Sequence, residues 1–265
     1  MIPNPSAPFA RPSIIEKPIM GLAISVVMGI FALLILRSFP EIDLYFSGIF
    51  FSEISCSKGL NPNTCSNFPL SVDPFWTMIR EIGYQIPRIL MLMVCLYLVW
   101  LVCFVPDKKL TDLQAPIAVA LSALIGPALI TNLVLKEYWG RPRPFTNTAF
   151  GGDLPYVAPG TISDFCSTNC SFVSGEASAA FWMLTVLILI GSRKRTPVGI
   201  LLAALAVFIA FLRVAFGRHY FSDITMSGFI VAFSFYVSVW LVQTNWLSSK
   251  LKTWVDFSNA RVFRR

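Results

Sequence analysis

Apolar residues in this chain come in long runs, not in the alternations or three-four spacings of a soluble fold. Six runs approach the length of a bilayer crossing: 19–36, 89–105, 115–135, 172–191, 198–216 and 224–242. A hydrocarbon core of about 30 Å needs roughly 20 apolar residues as helix. Within lipid only helices or closed barrels satisfy their own backbone, so runs of this kind predict six membrane helices. The first, second and fourth are clean. The third and fifth end in basic residues and the sixth starts beside an acidic one. Composition points the same way, with 55% hydrophobic and 13% charged residues, 23 Phe and 7 Trp, and a mean hydropathy of +0.68. A soluble fold, a disordered chain, a coiled coil and a disulfide-dense miniprotein are all excluded.

Lys and Arg placement orients the spans. With six crossings both termini share one side. That side carries Arg11, Lys17, Lys108, Lys109, Arg193, Lys194, Arg195, Lys250, Lys252, Arg261, Arg264 and Arg265, which are 12 of the 21 cations. This face is therefore expected to be cytoplasmic. Of the other nine, Lys136, Arg141, Arg143, Arg213 and Arg218 fall in candidate site segments. The net charge of +7 thus reads as a topology signal, and no solvated basic domain exists to bind nucleic acid. The first span is too long for a signal-peptide core and is expected to be retained.

The chain reads as one polytopic domain, 1–265, without internal repeats. A Pro-rich flexible tail runs to residue 18, a six-span core covers 19–247, and a basic cytoplasmic tail covers 248–265. The outer loop 41–88 carries enough apolar material for short interfacial helices. Cys95 and Cys103 lie inside the second span as small hydrophobes. Cys56 with Cys65, and Cys166 with Cys170, fall in the two outer loops. Two short-range pairs there point to disulfides in an oxidising compartment rather than to a metal site.

Three segments concentrate polar residues at the outer ends of spans three to six: Lys136 to Pro144, Val173 to Glu176, and Arg213 to Asp223. Ionisable residues at such depths mark functional sites. The expected topology gathers Lys136, Arg143 and Arg213, two carboxylates and the lone histidine on one face. Converging cations call for an anion, and arginine forks with a lysine point charge suit phosphate. Ser174 and Gly175 open a helix whose N–H groups and dipole favour the same ligand. His219 and Asp223, four apart, share a helical face, so Asp223 is expected to take the proton of one ring nitrogen and leave the other as nucleophile. Arg141 rivals Arg143 as a ligand, and Arg141 and Arg218 are candidate supporting residues. No metal ligand set or cofactor is expected, the cations supplying the charge stabilisation.

Lys136-x6-Arg143-Pro144, Ser174-Gly175 and Arg213-x5-His219-x3-Asp223 resemble the three-part signature of the type-2 phosphatidic acid phosphatase superfamily. The resemblance implies that His219 becomes a phosphohistidine, that Asp223 orients it, and that Lys136, Arg143, Ser174, the Gly175 amide and Arg213 hold the phosphoryl oxygens. Members carry a second histidine after Ser-Gly, where this chain has Glu176. Val173 and Leu212 replace a usual proline and serine. Either Glu176 is the general acid, with a pKa raised by burial, or water protonates the leaving oxygen and Glu176 merely neutralises a neighbouring arginine. Within the superfamily, Cys-x-x-x-Cys-Ser-Phe-Val-Ser-Gly-Glu is similar to bacterial lipid A phosphatases, the 4'-type in particular.

The expectation is therefore an all-α integral membrane phosphatase with its active site at the outer membrane surface, in a bacterial inner membrane facing the periplasm. Its partners are a phosphorylated membrane lipid and the bilayer, with no nucleic acid and no obligate protein partner. Polyprenyl pyrophosphate or phosphatidylglycerophosphate headgroups are the alternative substrates. A non-catalytic anion binder or transporter is the more distant one, since transporters show repeats and midplane breaks.

Overall fold

Helix punctuation sets the architecture. The computed structural model describes residues 17–53, 66–105, 108–244, 248–253 and 255–256. Seven helices organise them. α1 (Pro18–Ser38) and α2 (Pro40–Gly48) each start with proline at the first helical position, where its missing N–H costs nothing. α3 spans Pro74–Phe104, α4 Leu110–Tyr138, α5 Gly175–Leu189, α6 Ser192–Ala215 and α7 Phe221–Gln243. Among the described residues the β-type pairing is one isolated bridge between Asn147 and Leu154.

Five of these helices, α1, α3, α4, α6 and α7, are long and apolar enough to cross a membrane. The fourth expected span appears as α5, whose 15 residues, the last seven of them a 3-10 helix, rise only about 26 Å. The second departs most from expectation. Its helix starts at Pro74, not near residue 89, because Asp73 caps it by accepting the Trp76 N–H at 3.0 Å and proline follows at the first helical position. Residues 74–88 carry Arg80, Glu81, Gln85 and Arg88, so they lack the apolar run that marks the remainder.

Packing follows side-chain size. Gly21, Ser25 and Gly29, every fourth residue of α1, form the buried stripe against α7; a Cβ at Gly29 would lie 3.3 Å from Phe229. Small residues at this spacing let membrane helices approach closely. α4 widens to π-helical turns over Leu124–Leu135 around Pro127, and Asn132 Nδ2 donates to the Pro127 carbonyl at 2.7 Å. α5 is held centrally by α4, α6 and α7. Its Trp182 and Met183 join Val119, Ala206, Ile209 and Val231 in the main core, and Trp182 Nε1 donates to the Val119 carbonyl at 3.0 Å. Outward faces of α1 and α3 expose Val27, Phe31, Leu34, Leu92, Met93, Leu96 and Trp100, which fits a lipid-facing surface.

The N-terminal tail to residue 16 and the pair Cys56 and Cys65 lie outside the described residues. Of the basic C-terminal segment, residues 248–253 and 255–256 are helical, and Val255 packs with Leu101 and Leu113.

Candidate active site

Two tight turns and one helix start assemble the site. α6 ends at Ala215, and Gly217 takes a left-handed φ of +63°. A Cβ there would strike the Phe68 ring, so glycine is required on both counts. The turn lets the Arg213 carbonyl accept the N–H groups of Arg218 at 3.0 Å and His219 at 3.2 Å. This explains the spacing between Arg213 and His219: the chain doubles back and returns the imidazole to the end of the helix that carries the arginine. Gly140, at φ +69°, makes the second turn, with the Ser163 carbonyl where a Cβ would sit. Beyond it the 166–171 segment pairs back onto 136–141: Cys170 N–H donates to the Lys136 carbonyl at 3.0 Å and Ser171 N–H to the Arg141 carbonyl at 2.8 Å. Cys166 and Cys170 form the expected disulfide.

These turns enclose a cavity of about 460 Å³ lined by Lys136, Arg143, Arg213, Arg218, Glu176 and His219, with Arg80 and Tyr84 from α3. Five cationic side chains meet one carboxylate. Arg143 is steered by Asn169, whose carbonyl accepts from Nη2 at 2.6 Å and Nε at 3.1 Å and whose Oδ1 accepts from Nη2 at 2.8 Å. Burial, then the charge of Arg218, lowers Arg143 to about 10, which leaves it cationic at neutral pH. Arg213 is buried, and its Nε is a buried donor without a hydrogen-bond partner among the described residues. Gly175 admits the Lys136 amine: a Cβ there would lie 2.9 Å from Lys136 Nζ and 2.5 Å from Asn132 Oδ1.

His219 is 1% exposed. Its Nδ1 sits 2.7 Å from the Ser171 carbonyl. A carbonyl only accepts, so Nδ1 carries the proton and Nε2 keeps its lone pair. Burial, followed by the charges of Arg143, Arg213 and Lys136, holds the imidazole well below its ordinary pKa. The ring is therefore neutral, with a nucleophilic nitrogen, beside a set of anion-binding groups.

The structure alters the expected part of Asp223. It lies 3.7 Å from Nδ1, beyond hydrogen-bond reach, and its oxygens are committed elsewhere. Oδ1 accepts from Arg141 at 2.5 Å, and Oδ2 from the Ser171 hydroxyl at 2.5 Å and the Tyr220 N–H at 2.8 Å. Asp223 thus connects to the ring only indirectly: it holds the Ser171 hydroxyl, and the same residue's carbonyl contacts the histidine. Arg141 is also settled. Fully buried away from the cavity, it bonds Asp223, Asp43 at 2.8 Å, Ser222 at 2.8 Å and the Val157 carbonyl at 2.8 Å. Burial alone would lower its pKa, but Asp223 and Asp43 outweigh burial and raise it. Ser174, fully buried, is the N-cap of α5, accepting from Ala177 N–H at 3.3 Å, and is not among the cavity's lining groups.

Glu176 meets surroundings opposite to those that would keep it protonated. Arg80 grips it at both oxygens, Nη2 to Oε1 at 2.6 Å and Nε to Oε2 at 3.2 Å, and Arg213 Nη1 lies 3.3 Å from Oε1. Arg80, Asp43, Ser171 and Asn169 are the contributors that the sequence reading missed. For Arg80 a signal existed: Asp73-Pro74 is a helix start, which puts Arg80 and Tyr84 one turn apart on one face. Asp43, Ser171 and Asn169 carried none.

A buried neutral histidine under a cage of cations sits on a bundle of membrane-length helices, an arrangement able to hold an anion beside an imidazole nitrogen. Residues 115–247 match the PAP2 superfamily, and the chain belongs to that family. Curated relatives agree. It is 36% identical to a lipid A 4'-phosphatase of Rhizobium leguminosarum over 200 residues, 73% of this chain and 84% of that protein. A lipid A 4'-phosphatase of Rhizobium etli is 34% identical over 200 residues, 73% of this chain and 76% of that one. A third, from Francisella tularensis subsp. novicida, is 32% identical over 225 residues, covering 84% and 93%. No solved structure matches the chain.

Proposed function

We propose that this protein is a lipid A 4'-phosphatase of a bacterial inner membrane, working on the periplasmic face through a phosphohistidine at His219. The observation that carries the reading is the Nδ1 contact with the Ser171 carbonyl, which leaves Nε2 as the ring nitrogen free to attack. Lys136, Arg143 and Arg213 receive the phosphoryl oxygens, with the start of α5 at Gly175 adding backbone N–H groups and the positive end of its dipole. Ser174 serves by capping that helix, and Asp223 and Arg141 by fixing the Ser171–His219 unit from below. Arg218 lines the cavity as a further cation.

Six crossings with both termini in the cytoplasm are supported by the Lys and Arg distribution. The Cys166–Cys170 disulfide beside the cavity favours an oxidising compartment.

Purified protein with lipid A as substrate tests the reading by mass spectrometry of the lipid. Wild type is expected to remove one phosphate, from the 4' position, and His219→Ala to remove none. Undiminished turnover in His219→Ala would eliminate the nucleophile, and loss of phosphate from another position would eliminate the substrate assignment.

A further inference from the structure

α3 lies outside the residues matched to the family, yet it sends Arg80 into the cavity. We infer that Arg80 is a positioning residue that keeps Glu176 ionised and aimed, so that Glu176 is the base for the water that hydrolyses the phosphohistidine. The inference rests on the phosphohistidine reading above.

The geometry is that of a clamp. A guanidinium presents parallel N–H groups that match both oxygens of a carboxylate, and Arg80 uses Nε and Nη2 in this way, at 3.2 and 2.6 Å. Arg213 adds a second positive charge at 3.3 Å. Glu176 opens α5, where a negative side chain is favoured by the dipole. A carboxylate so held is poor at giving a proton; the two cations also weaken it as a base, so its part is to face the attacking water from the cavity wall and take that water's proton as the new bond to phosphorus forms. Arg80 itself is fixed on its own helix, its Nη1 2.6 Å from Glu81 and its guanidinium 5.6 Å from the Tyr84 ring.

The bond changes balance as follows. In the first half-reaction His219 Nε2 bonds to phosphorus, the bond from phosphorus to the lipid oxygen breaks, and that oxygen takes a proton from water. In the second half-reaction a water oxygen bonds to phosphorus and the Nε2–phosphorus bond breaks, its electron pair returning to the ring. The proton of that water passes to Glu176 and on to solvent. Loss of such a base costs about a hundredfold or more in the step it serves.

The groups facing Glu176 are Arg80 and Tyr84 of α3, Lys136 of α4, Arg213 of α6, and Arg143, Arg218 and His219 of the loops; Asp223 of α7 is committed to Arg141. Removing Arg80 takes away the cation that contacts both carboxylate oxygens. The pH below which Glu176 is protonated then rises, and the acid limb of kcat moves to higher pH. A purely structural loss lowers the profile without moving the limb.

Rapid-quench kinetics with lipid A radiolabelled at the reacting phosphate tests the inference in wild type, Glu176→Gln, Arg80→Ala, Arg80→Lys and His219→Ala. Glu176→Gln and Arg80→Ala are expected to release about one equivalent of dephosphorylated lipid per enzyme and to accumulate label on His219. Their steady-state kcat falls about a hundredfold, with the acid limb displaced upward in Arg80→Ala and partly restored in Arg80→Lys. If Glu176→Gln or Arg80→Ala instead lose the first turnover and carry no label, while wild type is labelled at His219, Glu176 serves the departing oxygen and this inference fails alone. If the acid limb of Arg80→Ala stays in place, the positioning role fails. If no enzyme form carries label and His219→Ala turns over, the phosphohistidine reading fails as well.

Discussion

Asp43 offers the sharpest test of how the site is built, because it lies on α2, far in sequence from every motif, and is fully buried. Its carboxylate accepts four hydrogen bonds: from Arg141 Nη2 at 2.8 Å, the Tyr156 hydroxyl at 2.9 Å, the Ser222 N–H at 2.7 Å and the Ser222 hydroxyl at 2.6 Å. The Ser222 contacts fasten the first turn of α7, the helix that follows His219 directly. Asp43→Ala leaves Arg141 with Asp223 as its one remaining carboxylate partner and strips the turn of its acceptor. Removing one member of a buried pair costs about 3–5 kcal/mol, more than the roughly 1.5–3 kcal/mol of a single hydrogen bond to a charged group. At roughly 2–4 °C per kcal/mol for a chain of this size, thermal unfolding in detergent should drop by on the order of 10 °C. Asp43→Asn keeps the volume but sets an amide N–H against one of the present donors, so a loss of about half that size is expected. Turnover should fall in both, since α7 and the His219 loop lose their register against Ser171. Arg141→Met combined with Asp43→Ala should cost clearly less than the two separate losses added together, as partners in one network do. An Asp43→Ala protein that unfolds within about 2 °C of wild type and turns over normally would refute the network's structural role.

The chain has a single histidine, so its imidazole nitrogens can be followed alone by NMR. The depressed pKa means the neutral ring persists below pH 6.5 and charges only as the pH falls through the lower folded value; the signals should hold the Nδ1–H tautomer from pH 7 down through 6.5, and a midpoint near 6.5 would contradict burial under the cations. Gly175→Ala forces a methyl onto Lys136 Nζ and Asn132 Oδ1. A displaced amine should cost about tenfold to a hundredfold in kcat/KM, with lipid phosphate release as the assay, and unchanged kinetics would refute the need for glycine beside the Lys136 amine. Opening the Cys166–Cys170 bridge by Cys166→Ser with Cys170→Ser releases the loop whose Asn169 steers Arg143. KM should rise several-fold with kcat less affected, and a KM equal to that of wild type would disconnect the bridge from the site.

What the sequence made legible tracks how local the geometry is. Lys136, Arg143, Arg213 and His219 could be placed because each pair is separated by one short turn, pinned at Gly140 and Gly217, and a fixed turn fixes a spacing. Arg141 and Arg143 could not be told apart by composition. They sit two residues apart beside a tight turn; the family spacing alone chose Arg143, and the folded chain sends Arg141 inward and Arg143 to the cavity. The acceptor for His219 was misassigned because it is a main-chain carbonyl, and any residue type at position 171 supplies one. Arg80 was hidden by the hydropathy pattern: residues 74–88 are too polar to be read as span, although the start signal at Asp73-Pro74 was present. Asp43 was beyond reach, since nothing in its neighbourhood on α2 foretells a contact with Arg141, 98 residues away.

The site is two layers of opposite charge with the imidazole between them. The cavity holds five cationic side chains and one carboxylate, whereas the buried layer beneath sets Arg141 against Asp43 and Asp223, two carboxylates to one cation. Each layer suits a different moment of the proposed reaction. A phosphate dianion entering the cavity offsets the repulsion among Lys136, Arg143 and Arg213, so substrate binding relaxes strain that folding alone leaves in place. Once Nε2 bonds to phosphorus the ring becomes cationic, and positive charge appears where those same cations had opposed it. The compensation then comes from below, from the Ser171 carbonyl at 2.7 Å and the Asp223 carboxylate at 3.7 Å. A carboxylate in direct contact with Nδ1 would favour a protonated, non-nucleophilic ring before substrate arrives. Set back behind Ser171, it leaves the resting imidazole neutral and still stabilises the charge that attack creates.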